Sequence, residues 1–262
     1  MRDGPDKNLT KPTPTTPQEE ILMTDQRPAY LRQNGTPDAR PTSNLDAFLA
    51  EIGMPKPHTP QSRGRLIFAL DATASRQPTW DTACTLQAHM FHAVDTVGTL
   101  DMQLVYFRGL NECRASRWIS QPNQLAKTMS QIICAAGYTQ IAKVLLHAHK
   151  EATLLPVSAL VFVGDAMEEN PDTLAHEAGK LGRLKVPAFM FQEGHDPNVE
   201  SAFRTIAQYT NGAYARFNQG SAKQLGELLK AVAVFAAGGI AALEASKNTN
   251  DKLLLGLIKS SQ

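Results

Sequence analysis

The stretch RLIFALDATAS, residues 65 to 75, decides how this chain folds. It opens with a continuous apolar run, which is typical of a strand that is buried on both faces of a parallel sheet. The run ends at Asp71, and Thr73 and Ser75 follow at alternate positions with only alanine between them. The pattern therefore predicts a central strand that carries a cluster of oxygen-bearing side chains at its carboxyl end.

Apolar strands of the same kind alternate with amphipathic helices from Arg63 onward. Further strands are predicted at 102–107, 158–165, 187–191 and 213–217, with an edge strand at 113–119. Helices are predicted at 83–97, 123–135, 140–152, 172–183 and 198–210, with a long helix from Ser221. Because alternating strands and helices are joined by right-handed crossovers, we expect an α/β fold with a doubly wound, mostly parallel, Rossmann-like sheet. Helices should flank this sheet, and one edge strand should be antiparallel.

The chain divides into an arm, a domain and a tail. Ten of its 16 prolines lie within residues 1–62, and this composition buries too little apolar area to fold, so the arm is predicted to be mostly disordered. One short amphipathic helix is predicted inside it at 44–53. Residues 63–246 form the predicted domain, and 247–262 form an amphipathic C-terminal tail that we expect to fold back on it.

Composition argues against several classes of protein. The 262 residues include 26 Lys and Arg against 25 Asp and Glu, and this near-balance lacks the basic excess of a general nucleic-acid binder. Three cysteines without a C-x-x-C pair disfavour a disulfide framework and a structural zinc site. The N-terminus lacks a signal-peptide pattern, and the longest apolar run, 231–243, is shorter than the ~18 residues of a membrane span. We therefore expect a cytoplasmic protein without a membrane span.

Oxygen-bearing side chains follow strands or begin helices at three places on one edge of the predicted sheet. Asp71, Thr73 and Ser75 follow the first strand, Thr139 joins two helices, and Asp165 ends the fourth apolar strand. In an open α/β sheet, ligands bind outside the carboxyl ends of the strands. Carboxylates and hydroxyls without His or Cys suit a hard cation, Mg²⁺ or Mn²⁺. Each residue alone has an alternative structural role, since Asp71, Ser75 and Thr139 could cap helices and Asp165 could shape its loop.

This three-part pattern resembles the von Willebrand factor A (VWA) domain. The metal-ion-dependent adhesion site (MIDAS) of that family reads Asp-x-Ser-x-Ser after the first strand, with a Thr in the second loop and an Asp after the fourth strand. The resemblance covers roughly residues 63 to 245 and includes RTIAQYTNGAY, 204 to 214, which is similar to the helix and turn before the family's last strand. It implies that Asp71, Thr73, Ser75 and Thr139 are direct or near-direct metal ligands and that Asp165 binds directly or through water.

The sequence departs from the family pattern at the same loops. Thr73 stands where Ser is usual, which keeps the hydroxyl and adds a methyl group. Ala166 follows Asp165 where Gly is common, and this stiffens the loop. Glu168 and Glu169 then lie near the rim, where they could repel an acidic partner or offer additional ligands.

The resemblance implies a metal-dependent protein–protein interaction module rather than an enzyme. Its Mg²⁺ would accept an Asp or Glu of a protein partner, and intracellular members of the family often act as adaptors in multiprotein assemblies. One alternative is a haloacid-dehalogenase-like phosphatase with Asp71 as nucleophile, although Thr73 replaces the second Asp that such enzymes use as general acid and base. A further alternative keeps the VWA fold as a metal-free scaffold.

Overall fold

The computed structural model describes residues 63–76, 100–218 and 222–261. The predictions for the arm at 1–62, its helix at 44–53 and the helix at 83–97 lie outside these residues. The strands of the described part are β1 Gly64–Asp71, β2 Leu100–Arg108, β3 Glu112–Ala115, β4 Ala159–Gly164, β5 Ala188–Glu193 and β6 Ala213–Phe217. Its helices are α1 Pro122–Ser130, α2 Ile141–Leu154, α3 Pro171–Arg183, α4 Pro197–Tyr209, α5 Ala222–Ala245 and α6 Thr249–Ser260.

These strands form one six-stranded sheet in the order β3-β2-β1-β4-β5-β6. All neighbours pair in parallel except β2 and β3, which pair antiparallel at the edge. The structure thus confirms the predicted α/β fold class. The strand order reverses beside β1, because the chain builds outward from β1 to β3 and then returns to place β4 on the other side of β1. This reversal creates the crevice where ligands bind in open α/β sheets.

The β1 strand is buried on both faces, as its continuous apolar run predicts. Alternate residues of a strand point to opposite faces, so Leu66, Phe68 and Leu70 belong to one core cluster and Ile67 and Ala69 to the other. The first cluster is covered by residues of α1, α5 and α6, and the second by residues of α2, α3 and α4. Helices therefore enclose the strand from both sides, and its carboxyl end is where its side chains leave the core.

One helix boundary differs from the sequence prediction in a way that affects the site. The α1 helix ends at Ser130 rather than at 135, because the following backbone makes a tight turn and Ala135 N–H donates to Ala72 O at 3.1 Å. This segment is thereby attached to the loop after β1. The predicted tail is the α6 helix, which packs against α5 and β6 with Leu254 and Ile258 in the core.

The α5 helix is unusually apolar. Among the described residues, the segment Leu225–Ala245 is long and apolar enough to cross a membrane by length and composition alone, with 21 residues and a mean hydropathy of 1.8. The sequence prediction considered only the shorter run within it. Leu229 and Val232 of this helix lie in the same core cluster as Leu66, Phe68 and Leu70 of β1. Gly239 interrupts the helical backbone with φ 67° and ψ −163°, a conformation that favours glycine.

Candidate metal centre

The β1 and β4 strands end side by side at the reversal in strand order. Leu70 pairs with Val163 in the last register position between them. The next residue of β4, Gly164, is so close that an added Cβ would lie 3.4 Å from Cβ of Asp71. Asp71 and Asp165, the residue after Gly164, therefore carry their carboxylates to the same place at the carboxyl edge.

Both aspartates have a buried oxygen that no hydrogen-bond donor of the described residues reaches. Asp71 is fully buried, and its Oδ1 accepts a hydrogen bond from Thr73 N–H at 2.8 Å. Within residues 63–76, 100–218 and 222–261, its Oδ2 has no hydrogen-bond partner, and neither has Oδ1 of Asp165. Buried polar atoms without partners are rare in folded proteins because each loses its hydration without compensation. The two oxygens are therefore available to a ligand that brings positive charge.

The environment of Asp71 disfavours its charged form. The pKa of Asp71 is raised from 3.8 to about 6 by the balance of its surroundings. Burial is the largest cause and the negative charge of Asp165 acts in the same direction, whereas hydrogen bonds from Thr73 and the charge of Arg76 act against them. The dominant cause is desolvation, because the apolar β1 strand places the carboxyl at the edge of the core. A cation at this position would counteract both the desolvation and the repulsion.

Arg76 is the site residue that the sequence analysis missed. Its side chain is only 1% exposed, and its guanidinium forms a salt bridge with Glu193 at the end of β5. Burial lowers the pKa of Arg76, and the charges of Asp165 and Asp71 act in the opposite direction. Arginine is rarely buried unless it is paired, so composition gave no reason to place it inside. Its position directly after Ser75, in the same loop as Asp71, was the available signal.

The charges of this cluster do not cancel. Among the described residues, the guanidinium of Arg76 is paired with Glu193, so its single positive charge offsets the carboxylates of Asp71 and Asp165 only in part. Two unbalanced carboxylates match the charge of one divalent cation. The arginine therefore reduces the repulsion without replacing such a cation.

The hydroxyls of Thr73 and Ser75 lie together, as their alternate spacing predicts. Arg76 N–H donates to Thr73 O at 3.1 Å, which closes the single 3-10 turn Ala74–Arg76. Thr73 is buried and Ser75 is exposed, and their hydroxyl oxygens are 3.0 Å apart. The tight turn thus brings two hydroxyls and the Asp71 carboxylate into one loop.

Thr139 is held by the loop after β4. Its N–H and its Oγ1 both donate to Oε2 of Glu168, at 3.0 and 2.8 Å, and the N–H of Glu168 donates back to Thr139 Oγ1 at 3.2 Å. Glu169 accepts hydrogen bonds from Ile141 N–H and from Ala142 N–H, and so caps the start of α2. The two glutamates that the sequence places at the rim therefore fasten the β4–α3 loop to the start of α2.

The donor set fits a hard divalent cation. Within the described ranges no group of three or more His, Cys, Asp and Glu side chains is placed to hold a metal ion. A cation here would therefore rely on Asp71, Asp165, nearby hydroxyls and water, which is a ligand set that Mg²⁺ accepts. The two buried carboxylate oxygens, which receive no hydrogen bond from the residues that the structure describes, are the feature that matches this ligand set.

Comparisons with known proteins identify the fold. No family model and no curated protein sequence matches the chain. The VWA domain of SpRpn10 is similar in structure, with 10% identity, a TM-score of 0.51 and coverage of 60% of this chain and 89% of that domain. The vWF domain of the type V pili tip protein Mfa5 from Porphyromonas gingivalis is 8% identical, with a TM-score of 0.51 and coverage of 65% of this chain and 94% of that domain. The pilus adhesin SpaC from Lactobacillus rhamnosus GG is 9% identical, with a TM-score of 0.53 and coverage of 69% of this chain and 31% of that protein.

Identities this low support the fold alone. The six-stranded sheet with its single antiparallel edge strand and its flanking helices is the Rossmann-like fold of VWA domains. The MIDAS ligands implied by the sequence stay a prediction, which the geometry of the carboxyl edge makes testable.

Proposed function

We propose that this chain is a protein-interaction module of VWA fold that binds Mg²⁺ or Mn²⁺ at the carboxyl edge of β1 and β4. The observation that carries the proposal is the pair of buried acid oxygens, Oδ2 of Asp71 and Oδ1 of Asp165, to which no side chain or backbone group in the described part of the chain donates a hydrogen bond. A bound divalent cation supplies a positive centre with open coordination positions, which a carboxylate from a protein partner can fill. The partner would thus be recognised by an exposed Asp or Glu.

Each residue of the site has a defined part in this proposal. Asp71 has its Oδ1 fixed by the Thr73 N–H, so that its Oδ2 is oriented for the cation. Thr73 and Ser75 contribute hydroxyls from the 3-10 turn, and Asp165 adds the second carboxylate. Thr139, fastened by Glu168, stands at the start of α2 as a further hydroxyl ligand, directly or through water.

The similar structures support an interaction role. Two of them are named as a pilus tip protein and a pilus adhesin, and the third as a VWA domain. Together with the absence of a second acid at Thr73, this favours binding over phosphoryl chemistry. We therefore propose an adaptor that joins a multiprotein assembly through a metal-bound carboxylate.

The proposal is tested by titrating Mg²⁺ and Mn²⁺ into the full chain by calorimetry, for the wild type and Asp71→Asn. Asp196→Asn is the matched control, because Asp196 caps α4 by accepting from Asn198 N–H and Val199 N–H. We expect binding in the wild type and in the control, and none in Asp71→Asn. Equal affinity in Asp71→Asn and the wild type would refute the site.

The same samples distinguish the two alternatives. Turnover of p-nitrophenyl phosphate that requires both Mg²⁺ and Asp71 would favour the phosphatase with Asp71 as nucleophile. An absence of binding for both cations, in protein that is shown to be folded, would favour a metal-free scaffold. Binding without turnover supports the adaptor.

A further inference from the structure

The β6 strand is the edge of the sheet farthest from β3, and a surface groove lies against it. Within the described residues, β5 is the one strand that pairs with β6. The groove has a volume of about 280 Å³ and is lined by residues of β6, of α4 on one face of the sheet, and of α5 and α6 on the other. An edge strand presents unpaired backbone groups, with which another extended chain can pair.

Alternate residues of β6 direct their backbone N–H and C=O groups toward β5 and away from it. Phe217 faces β5, because its carbonyl oxygen accepts from Gly194 N–H at 3.1 Å. Tyr214 and Arg216 face away, since these groups change sides at each residue of a strand. Within the described ranges, no hydrogen bond reaches the backbone N–H or C=O of Tyr214 or Arg216. Both residues can therefore pair with a further strand.

The groove wall on the side of α5 and α6 is apolar. Leu228 of α5 and Leu253 and Leu257 of α6 line it, beside the small side chain of Ala215. Leu253 is 41% exposed. A strand added to β6 directs every second side chain to this face of the sheet. Apolar side chains at those positions would remove the exposed part of the leucine wall from water.

The groove wall on the side of α4 is charged. Arg204 lies over the ring of Tyr214, 4.3 Å from the ring centroid. Arg204 and Arg216 both form salt bridges with Glu200, and their side chains remain 60% and 44% exposed. One carboxylate therefore serves two guanidinium groups. The other alternate side chains of an added strand point to this wall, where an Asp or Glu would supply the second negative charge.

The other charged residues of the bordering elements leave a small positive excess. Asp196, one turn before Glu200, accepts hydrogen bonds from the first N–H groups of α4. Lys223 of α5 and Lys252 of α6 are exposed, and Asp251 is buried in the first turn of α6. The remaining charged residues of these helices and of β5 are paired: Glu193 with Arg76, Glu227 with Lys230, and Glu244 with Lys259. The groove thus complements an acidic partner.

We infer that the β6 edge is a second binding surface, independent of the metal, and that its occupant is an extended segment of a partner protein in which apolar residues alternate with Asp or Glu. The segment pairs its backbone with Tyr214 and Arg216 and packs its apolar side chains on Leu253 and Leu257. Its acids lie beside Arg204 and Arg216. A second copy of this chain fits less well, because pairing two β6 strands brings the arginines of both copies together.

The test selects a random peptide library displayed on phage against the full chain, in Mg²⁺ and in EDTA, and measures the affinity of a synthetic enriched peptide. Arg216→Pro removes the outward N–H and leaves the bonds to β5, because Arg216 does not face β5. Arg216→Ala is the matched control, since it removes the same charge and keeps the N–H. Leu253→Glu tests the apolar wall, and its control is Leu154→Glu, at a 76% exposed leucine that ends α2. Circular dichroism checks that the variants are folded.

A change in the peptide tests the backbone pairing without altering the protein. Two versions of the enriched peptide are N-methylated, each at one of the two sets of alternate residues. Only one set carries the N–H groups that face β6, because these groups change sides at each residue. We expect one version to lose binding and the other to keep it.

The enriched peptides should alternate apolar and acidic residues and should bind equally well in Mg²⁺ and in EDTA. Arg216→Pro should bind at least about tenfold more weakly than Arg216→Ala does, and Leu253→Glu more weakly than Leu154→Glu. Equal affinity of Arg216→Pro and Arg216→Ala, or equal binding of the two N-methylated peptides, would overturn the inference, as would a selection that enriches no alternating peptide. Binding that requires Mg²⁺ would overturn it while supporting the metal centre. Loss of a wild-type dimer in Arg216→Pro, measured by sedimentation, would make a second copy the occupant and overturn it as well.

Discussion

Two pairs of acidic residues lie at the same edge of the sheet and have opposite surroundings. Asp71 and Asp165, at the ends of β1 and β4, each keep a buried oxygen without a donor among the described residues. Glu168 and Glu169, only a few residues after Asp165, accept hydrogen bonds from Thr139 and from the first N–H groups of α2. The aspartates are therefore incomplete without a ligand, whereas the glutamates are already engaged by the fold.

The difference shows why residue type alone does not identify a metal ligand. A carboxylate that accepts several N–H and O–H donors is stabilised in its charged form and contributes to folding. A buried carboxylate without such donors weakens the folded state until a cation arrives, and binding that cation then stabilises the protein. Mutations of the two pairs should consequently separate stability from metal binding.

The largest effect is expected from Arg76→Met, which removes the buried cation beside the aspartates. The change leaves Glu193 without its partner and increases the repulsion between Asp71 and Asp165. Breaking a buried ion pair on one side costs about 3–5 kcal/mol in the free energy of unfolding. Urea unfolding in EDTA measures this loss, and Arg76→Met/Glu193→Gln should recover part of it. A loss no larger than that of an exposed arginine, such as Arg114→Met, would show that Arg76 does not offset the aspartates.

The next effect concerns pH in the metal-free protein. The pKa of Asp71 is raised from 3.8 to about 6 by burial, so the folded state binds its proton more tightly than the unfolded state. This contribution to stability is present below pH 3.8 and is lost as the pH rises to 6, a change of roughly 3 kcal/mol. Urea unfolding between pH 4 and 7 in EDTA should show that the wild type loses stability relative to Asp71→Asn. Parallel pH profiles for the two proteins would contradict the buried, uncompensated carboxyl.

A smaller loss of stability is expected when one of the two glutamates, Glu168 and Glu169, is replaced. Glu169→Ala leaves the N–H groups of Ile141 and Ala142 without their acceptor and removes a negative charge from the start of α2. The free energy of unfolding should fall by about 1–3 kcal/mol, while Mg²⁺ affinity stays close to that of the wild type. Thermal unfolding and calorimetry on the same sample measure both quantities. Unchanged stability together with lost Mg²⁺ binding would place Glu169 among the metal ligands. Glu169 would then act as Asp71 does and would not be a structural cap.

The fold and the site differ in how far the sequence predicts them. The apolar run before Asp71 predicts a buried central strand, because a strand covered by helices on both faces leaves no position for polar alternation. Loop hydrogen bonds have no such periodic signal. The cap of α2 comes from Glu169, which is 28 residues away from Ile141 in the sequence, while the side chain of the N-cap residue Gln140 makes no capping hydrogen bond to the first turn of the helix. Arg76 was missed for a related reason, since its burial depends on Glu193 of a distant strand.

The smallest change in stability is expected at Thr73, where the sequence departs from the family pattern in the loop that follows Asp71. Thr73→Ser restores the residue that the resemblance implies and keeps the hydroxyl that lies 3.0 Å from Ser75 Oγ. Thr73 is only 5% exposed, so losing its methyl group should lower the free energy of unfolding by about 0.8 kcal/mol, the value of one buried methyl-sized group. Mg²⁺ affinity should stay within a few-fold of wild type, because the oxygen donors are unchanged. The matched variant Thr73→Val keeps the volume and removes the hydroxyl. If Thr73→Val binds Mg²⁺ as well as Thr73→Ser does, the hydroxyl of Thr73 is not a metal ligand. The protein ligands that remain supported by unpaired oxygens are then the carboxylates of Asp71 and Asp165.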